Sequence, residues 1–360
     1  MQTTNVSTHQ ETGDRGRFTL AEIKQQPDTW RGTLSRLRQL AVRNAFPPPV
    51  ITGAGTSAYA AMAIEAAWPG SRAVPSTELF LDFEGPLTHR KMVLSLARSG
   101  DSPESIAVVE KIQRRLPHVR HVALTCNPEG KLANWKGVEA FLLDPRSNDR
   151  SLVMTSSFSN LALAGLYLAR PSETEHALPI LCESAETVLK EHITTAQALA
   201  ANPPARAVAL ASAPLLGAAR EACLKFTEMT SGRVATLTET YLGLRHGPMS
   251  FIEAGTLVIC FVSSSPRLRR YEMDLVAELR AKQIGRLVAL LPQGVEQEPF
   301  DVVISTPASG LPDYLRTPAD IVFCQLLGYF LSLACGLDPD NPSPRGVIHR
   351  VVQGVRIYED

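Results

Sequence analysis

At 360 residues the chain exceeds one ordinary core and suits two α/β units of roughly 100 to 200 residues each. With 44% hydrophobic residues and 36 basic against 36 acidic side chains, it reads as a globular protein with no net field to draw nucleic acid or a membrane surface. Six cysteines (Cys126, Cys182, Cys223, Cys260, Cys324, Cys335) show no CxxC spacing and several lie in apolar runs, which predicts reduced, buried thiols and a cytoplasmic setting.

Residues 1–17 are polar, lack the apolar stretch of a signal peptide and are expected to be disordered; no apolar run is expected to span a membrane. Thr19-Leu-Ala-Glu22 has the spacing of a capping box and predicts a helix start. Pro27 should end or kink that helix, and a second is predicted over Asp28 to Arg43, with Trp30, Leu34, Leu37 and Leu40 on one side. These N-terminal helices cover residues 18–46. Pro47-Pro48-Pro49 then breaks the chain before a strand at Val50 to Thr52, and a glycine-rich turn follows at Gly53 to Ser57.

A strong strand is predicted at Met92 to Leu96, a Ser-rich turn at Ser99 to Ser102, a helix at Pro103 to Leu116 and a strand at His121 to Thr125. The same order returns later: a strand at Leu257 to Val262, a turn at Ser263 to Ser265, a helix near Arg269 to Gln283 and a strand at Arg286 to Leu291. Strands apolar on both faces that alternate with amphipathic helices imply a mostly parallel sheet covered on both sides, a doubly wound α/β unit, in each half. Leu181, Ala185, Val188, Leu189, Ala196 and Leu199 follow helical spacing until Asn202-Pro203-Pro204. The division is therefore a first module over 47–178, a linker helix over 179–204, a second module over 205–345 and a tail over 346–360.

Three stretches could carry chemistry. Gly53-Ala54-Gly55-Thr56-Ser57-Ala58 satisfies the dinucleotide pattern G-x-G-x-x-[GA], with Glu78 at a tolerable distance for a ribose-binding acid. Its two hydroxyls at a helix start suit a phosphate monoester better; the plainer reading is a tight turn that needs glycines whatever binds. Arg98-Ser99-Gly100-Asp101-Ser102-Pro103 is a second hydroxyl-rich turn opening a helix, and both turns could grip one phosphate at a topological switch point. Ser102 could equally cap its helix. Glu221, Lys225 and Glu228 share one helical face among apolar neighbours, and buried charges need partners or a task. Arg245-His246-Gly247-Pro248 could present an imidazole to a cleft for proton transfer near neutral pH.

At these residues the chain resembles the sugar-isomerase (SIS) family, which includes the isomerase half of glucosamine-6-phosphate synthase. The stretch from Ala97 to Ser105, the stretch from Thr238 to Pro248 and the tail from Asp340 to Val355 are similar to a narrower branch, the galactosamine-6-phosphate deaminases, also described as tagatose-6-phosphate ketose/aldose isomerases. The resemblance implies two tandem SIS modules, each a flavodoxin-like sandwich. It implies that Thr56, Ser57, Ser99 and Ser102 hold the phosphate with Gly55, that Glu228 moves a proton between C1 and C2, and that His246 opens the sugar ring in the active site of a neighbouring subunit. A homodimer with its active site at the interface follows from it, and Lys225 and Glu239 join the substrate-binding set. Ala97 and Arg98 stand where relatives often carry Ser and Gln, and Arg98 could compensate with a bidentate grip. Arg350 or His349 would replace a C-terminal sugar-contacting Lys. Since the turn from Ser212 to Leu215 lacks the glycines, one complete phosphate site per chain is expected.

The implied activity converts galactosamine 6-phosphate to tagatose 6-phosphate and ammonia through an enolamine. The alternatives are aldose-ketose isomerisation without deamination, a non-catalytic sugar-phosphate sensor, and a nicotinamide-dependent oxidoreductase supported only by the Gly53 turn and Glu78. No cofactor or metal is expected, because no His/Cys/carboxylate cluster has metal-ligand spacing, and neither nucleic acid nor membrane is an expected partner.

Overall fold

A computed structural model of the chain describes residues 15–39, 46–295 and 299–358. Two helices lead in, α1 (Arg17–Lys24) and α2 (Gln26–Gln39). Of the segment expected to be disordered, residues 1–14 lie outside the described residues, as do Leu40 and Arg43 of the predicted second helix. Arg17 already belongs to α1. The break falls at Gln25, so Pro27 sits in the first turn of α2 where its missing N–H is no loss.

The capping box does not form. Thr19 lies inside α1, and the amides of Phe18 and Thr19 donate instead to Asp340 Oδ2 and Oδ1 at 3.1 and 2.7 Å. Glu22 turns away, its Oε1 accepting from the amides of Arg150 and Ser151 at 2.6 and 3.2 Å. A carboxylate more than 300 residues distant in sequence thus supplies the negative charge that the N-terminus of α1 favours.

The leading sheet follows as β1 (Val50–Thr52), α3 (Thr56–Ala67), β2 (Arg72–Ala73), α4 (Ser76–Leu81), α5 (Glu84–Leu87), β3 (Met92–Ala97), α6 (Pro103–Arg115), β4 (Arg120–Thr125) and β5 (Val138–Leu142). Helix α7 (Ser156–Ala169) returns across it. The predicted linker helix starts earlier than expected, as α8 (Pro171–Glu191), and breaks at His192 before α9 (Ile193–Ala200). The trailing sheet uses β6 (Arg206–Ala211), α10 (Leu216–Met229), β7 (Ala235–Glu239), β8 (Leu257–Phe261), α11 (Pro266–Ala281), β9 (Arg286–Pro292) and β10 (Val302–Thr306), and α12 (Asp313–Ala334) closes it.

The strand orders are β2-β1-β3-β4-β5 and β10-β9-β8-β6-β7, all pairs parallel. Counted from the first strand of each sheet, the two orders are the same, with switch points between β1 and β3 and between β6 and β8. The central strands β3 and β8 are buried along their whole length, which is why their sequences read as apolar runs, broken in β3 by Ser95, whose hydroxyl meets His121 Nε2 at 2.8 Å. The edge strands β5 and β10 are only part-buried, and their weaker patterns escaped the sequence reading.

One apolar cluster joins both sheets through α3, α7, α10 and α12. Contrary to the expectation from sequence, α12 is long and apolar enough to cross a membrane, yet 83% of its most apolar window is buried inside the chain. It is the helix about which both modules pack.

Candidate active site

The turns after β1 and β3 adjoin at the leading switch point, where open α/β sheets place their ligands. A Cβ on Gly53 would lie 2.6 Å from Ser57 Cβ and 3.0 Å from Leu96 O, so this glycine is required by close packing. Gly55 has φ +54°, which L side chains rarely adopt, and no side chain caps the helix that starts after it. The N-terminus of α3 instead borders a cavity of about 430 Å3, lined among others by Gly55, Thr56, Arg98, Glu228, His349 and Arg350. An adjoining cavity of about 110 Å3 is lined by Ser57, Ser99, Gly100, Ser102 and Ser105, and shares Arg98 and Arg350 with the first. Ser102 does not cap α6: its Oγ donates to Glu104 Oε2 at 2.9 Å.

Helix α10 brings the charged triad to this cleft. Gly217 makes that approach possible, because a Cβ there would sit 2.8 Å from Tyr59 O and from Ala63 N on α3. Two turns on, Lys225 is completely buried, with Nζ 2.7 Å from Glu228 Oε2 and 3.2 Å from Glu221 Oε1. It also donates to Thr56 Oγ1 and Met154 O, both at 3.1 Å. The lysine expected to bind substrate is therefore shut behind the cleft, where it orients Glu228 and ties α10 to the start of α3. Glu228 is the exposed member, its side chain 25% accessible.

Burial drives the carboxyl of Glu221 up to about 8, against the pull of Lys225 and with the push of Glu228. Burial also pulls the Lys225 ammonium down, but Glu221 and Glu228 outweigh it and hold the group above its ordinary value. The triad thus keeps a charged lysine beside the carboxylate that faces the cavity.

The other expected site residues divide. Arg98 lies at the base of both cavities, but its Nη donors go to the carbonyls of Ser151, Leu152 and Arg350. Arg350 in turn binds Asp149 O and Asn148 Oδ1. His246 ends a 3-10 segment (Gly243–His246) after β7, is exposed, and lies outside the cleft lining of its own chain. Glu239 Oε1 accepts from Thr240 N at 2.7 Å, also away from the cleft. Glu78 is exposed on α4. The sequence reading missed the segment 148–154, whose Leu152 and Met154 line the cleft and whose Asp149 Oδ2 caps α7 through Thr155 N, Ser157 N and Ser157 Oγ at 2.8, 2.9 and 2.5 Å. The polar run from Ser147 to Ser151 just before an apolar helix was its only signal. Among the described residues no His, Cys, Asp and Glu side chains gather as a metal site.

No protein-family model matches the chain. It is 34% identical to the D-galactosamine-6-phosphate deaminase AgaS of Shewanella sp. (strain ANA-3), over 95% of this chain and 92% of that protein. It is 35% identical to the D-galactosamine-6-phosphate deaminase AgaS of Escherichia coli, over 95% and 96%. The chain belongs to the galactosamine-6-phosphate deaminase branch of the SIS family. Its fold agrees: the crystal structure of tagatose-6-phosphate ketose/aldose isomerase from Escherichia coli superposes with a TM-score of 0.81 at 31% identity, over 94% of this chain and 97% of that one. The C-terminal domain of glucosamine-fructose-6-phosphate aminotransferase from Francisella tularensis shares the fold at 16% identity, with a TM-score of 0.72 and coverage of 90% and 98%.

Proposed function

We propose that this SIS enzyme converts galactosamine 6-phosphate to tagatose 6-phosphate and ammonia. The observation that carries the reading is the shared cavity: Glu228, oriented by Lys225, opens onto the same space as the uncapped start of α3 at Gly55 and Thr56. Amides and hydroxyls of Ser57, Ser99 and Ser102 take the phosphate, which leaves the sugar carbons to extend toward Glu228.

In the open-chain aldehyde, Glu228 removes the C2 proton while the aldehyde oxygen gains a proton, giving the enolamine. Glu228 returns its proton to C1, and the nitrogen gives one back, leaving the ketimine. Water then adds at C2 and ammonia departs, so the keto sugar forms without any net oxidation. Because Oε2 is held by Lys225, Oε1 is the oxygen that carries the proton. His246 opens the ring from a second copy of the chain; its exposure, beside Leu242 at 48%, supports a homodimer with a shared site. We further assign the protein to the cytoplasm, on its six free cysteines, five of them buried and Cys335 only partly so, and its small-metabolite substrate. The likeness to the tagatose-6-phosphate ketose/aldose isomerase of Escherichia coli favours a second reading, the same proton transfer without deamination.

Ammonia release decides between them. Wild type should release ammonia from galactosamine 6-phosphate and not from glucosamine 6-phosphate; isomerisation of tagatose 6-phosphate with no ammonia from either amino sugar would reverse the assignment. Glu228→Gln should lower kcat by about 10²- to 10⁴-fold, the worth of one general base. Mixing Glu228→Gln and His246→Ala chains should restore part of the activity, and failure to do so would place each site within one chain.

A further inference from the structure

The segment 148–154 beside the cleft is held by polar side chains from three remote parts of the chain. Arg98, at the end of β3, donates from Nη1 to Ser151 O at 3.1 Å and Leu152 O at 2.9 Å, and from Nη2 to Arg350 O at 2.6 Å. From the tail, Arg350 donates through Nε and Nη2 to Asp149 O at 3.0 and 2.6 Å, and through Nη2 to Asn148 Oδ1 at 2.7 Å. Glu22 of α1 accepts from the amides of Arg150 and Ser151.

Both arginines make these bonds to neutral oxygens. Arg98 is 7% exposed; burial weighs against its charge, and the Asp149 carboxylate, itself held by neutral donors at the start of α7, weighs in its favour. Carbonyls satisfy a guanidinium's donors without cancelling its charge. With two guanidinium groups, Arg98 and Arg350, set against the Asp149 carboxylate, positive charge is left along both cavities that a phosphate dianion would enter.

We propose that Arg98 is a positioning residue which, together with Arg350, locks the tail to residues 148–152 and so shapes the phosphate end of the cleft. It acts on the dianion by its field and by the wall it holds, and not by a bidentate grip. Three carbonyls from two segments need the planar fork of a guanidinium; a lysine would supply the charge without that geometry. The inference rests on the cleft being the sugar-phosphate site.

The test uses full-length wild type, Arg98→Gln, Arg98→Lys and Arg350→Gln. Hydrogen exchange of peptides covering 148–154 and 346–353 is measured without substrate, beside kcat and KM for galactosamine 6-phosphate. Arg98→Gln and Arg350→Gln should each speed exchange in both peptides by about tenfold or more, the equivalent of one lost charge-assisted bond, and should raise KM more than they lower kcat. Arg98→Lys should recover part of the KM while both peptides still exchange fast. The proposal is overturned if Arg98→Gln raises KM with both peptides as protected as in wild type, which would make Arg98 a direct ligand. It is equally overturned if Arg350→Gln frees the tail and leaves 148–154 unchanged. Should Arg98→Gln fail to fold, Arg98→Lys and Arg350→Gln give the same comparison. Absence of turnover in wild type would instead count against the substrate reading, and the exchange data would still report on the lock.

Discussion

The two switch points have the same topology and opposite contents. In the leading sheet, the turns after β1 and β3 border cavities, with α3 uncapped and the Ser99 to Ser102 turn opening onto space. In the trailing sheet, the turns after β6 and β8 are filled by the chain itself. Glu272 of α11 accepts from Ser263 N at 2.8 Å and from Ser212 Oγ. Asp313 of α12 accepts from Ser264 N at 2.7 Å and from Ser263 Oγ, and the fully buried Arg316 backs it at 3.1 Å. Both ends of parallel strands present amides and hydroxyls to an anion; in one case the anion comes from outside, in the other it is a side chain. A binding site here is a turn that the protein leaves unfilled.

That contrast can be broken most severely on the trailing side. Asp313→Ala removes one of two carboxylates beside a buried guanidinium, Asp320 staying at 2.8 Å, and strips the acceptor from Ser263 and Ser264; it should cost about 2–3 kcal/mol of stability, read by denaturant unfolding, with KM for the sugar phosphate unchanged in the folded fraction. A rise in KM instead would mean that the trailing switch point takes part in binding. On the leading side the signs should invert. Ser57→Ala should leave the unfolding midpoint nearly unmoved and raise KM by about tenfold to a hundredfold, the worth of a hydrogen bond to a charged group; a loss of stability with no change in KM would make Ser57 a packing residue only.

The smallest effect concerns pH. Burial, with a further push from Asp149, raises the Glu22 carboxyl from 4.5 to about 7. The unfolded chain releases that proton near 4.5 and the folded one keeps it to about 7, so folding stability declines as pH rises across this window. Glu22→Gln should flatten part of that decline in a series of thermal melts, leaving the contributions of Glu221 and Asp320, which are raised to about 8 and about 6. An unchanged pH slope would show that Glu22 is ionised in the folded protein throughout.

Much of this protein was legible from local pattern. The apolar strands at 92–97 and 257–261, the tight Gly53 to Ser57 turn and the i, i+4, i+7 spacing of Glu221, Lys225 and Glu228 depend on near neighbours in sequence, and periodicity and backbone sterics suffice to read them. What the sequence could not decide was direction. Lys225 and Glu228 sit one turn apart with similar polarity, yet packing of α3 on Gly217 buries the lysine and leaves the carboxylate at the cavity. Thr19 and Glu22 match a capping box, yet Asp340 and the amides of residues 150 and 151 compete for them and win. Arg98 precedes a phosphate-type turn, yet three carbonyls from distant segments claim its donors. Each of these outcomes turns on contacts between residues tens to hundreds of positions apart, and only the folded chain brings such groups within the few ångströms over which hydrogen bonds and burial act.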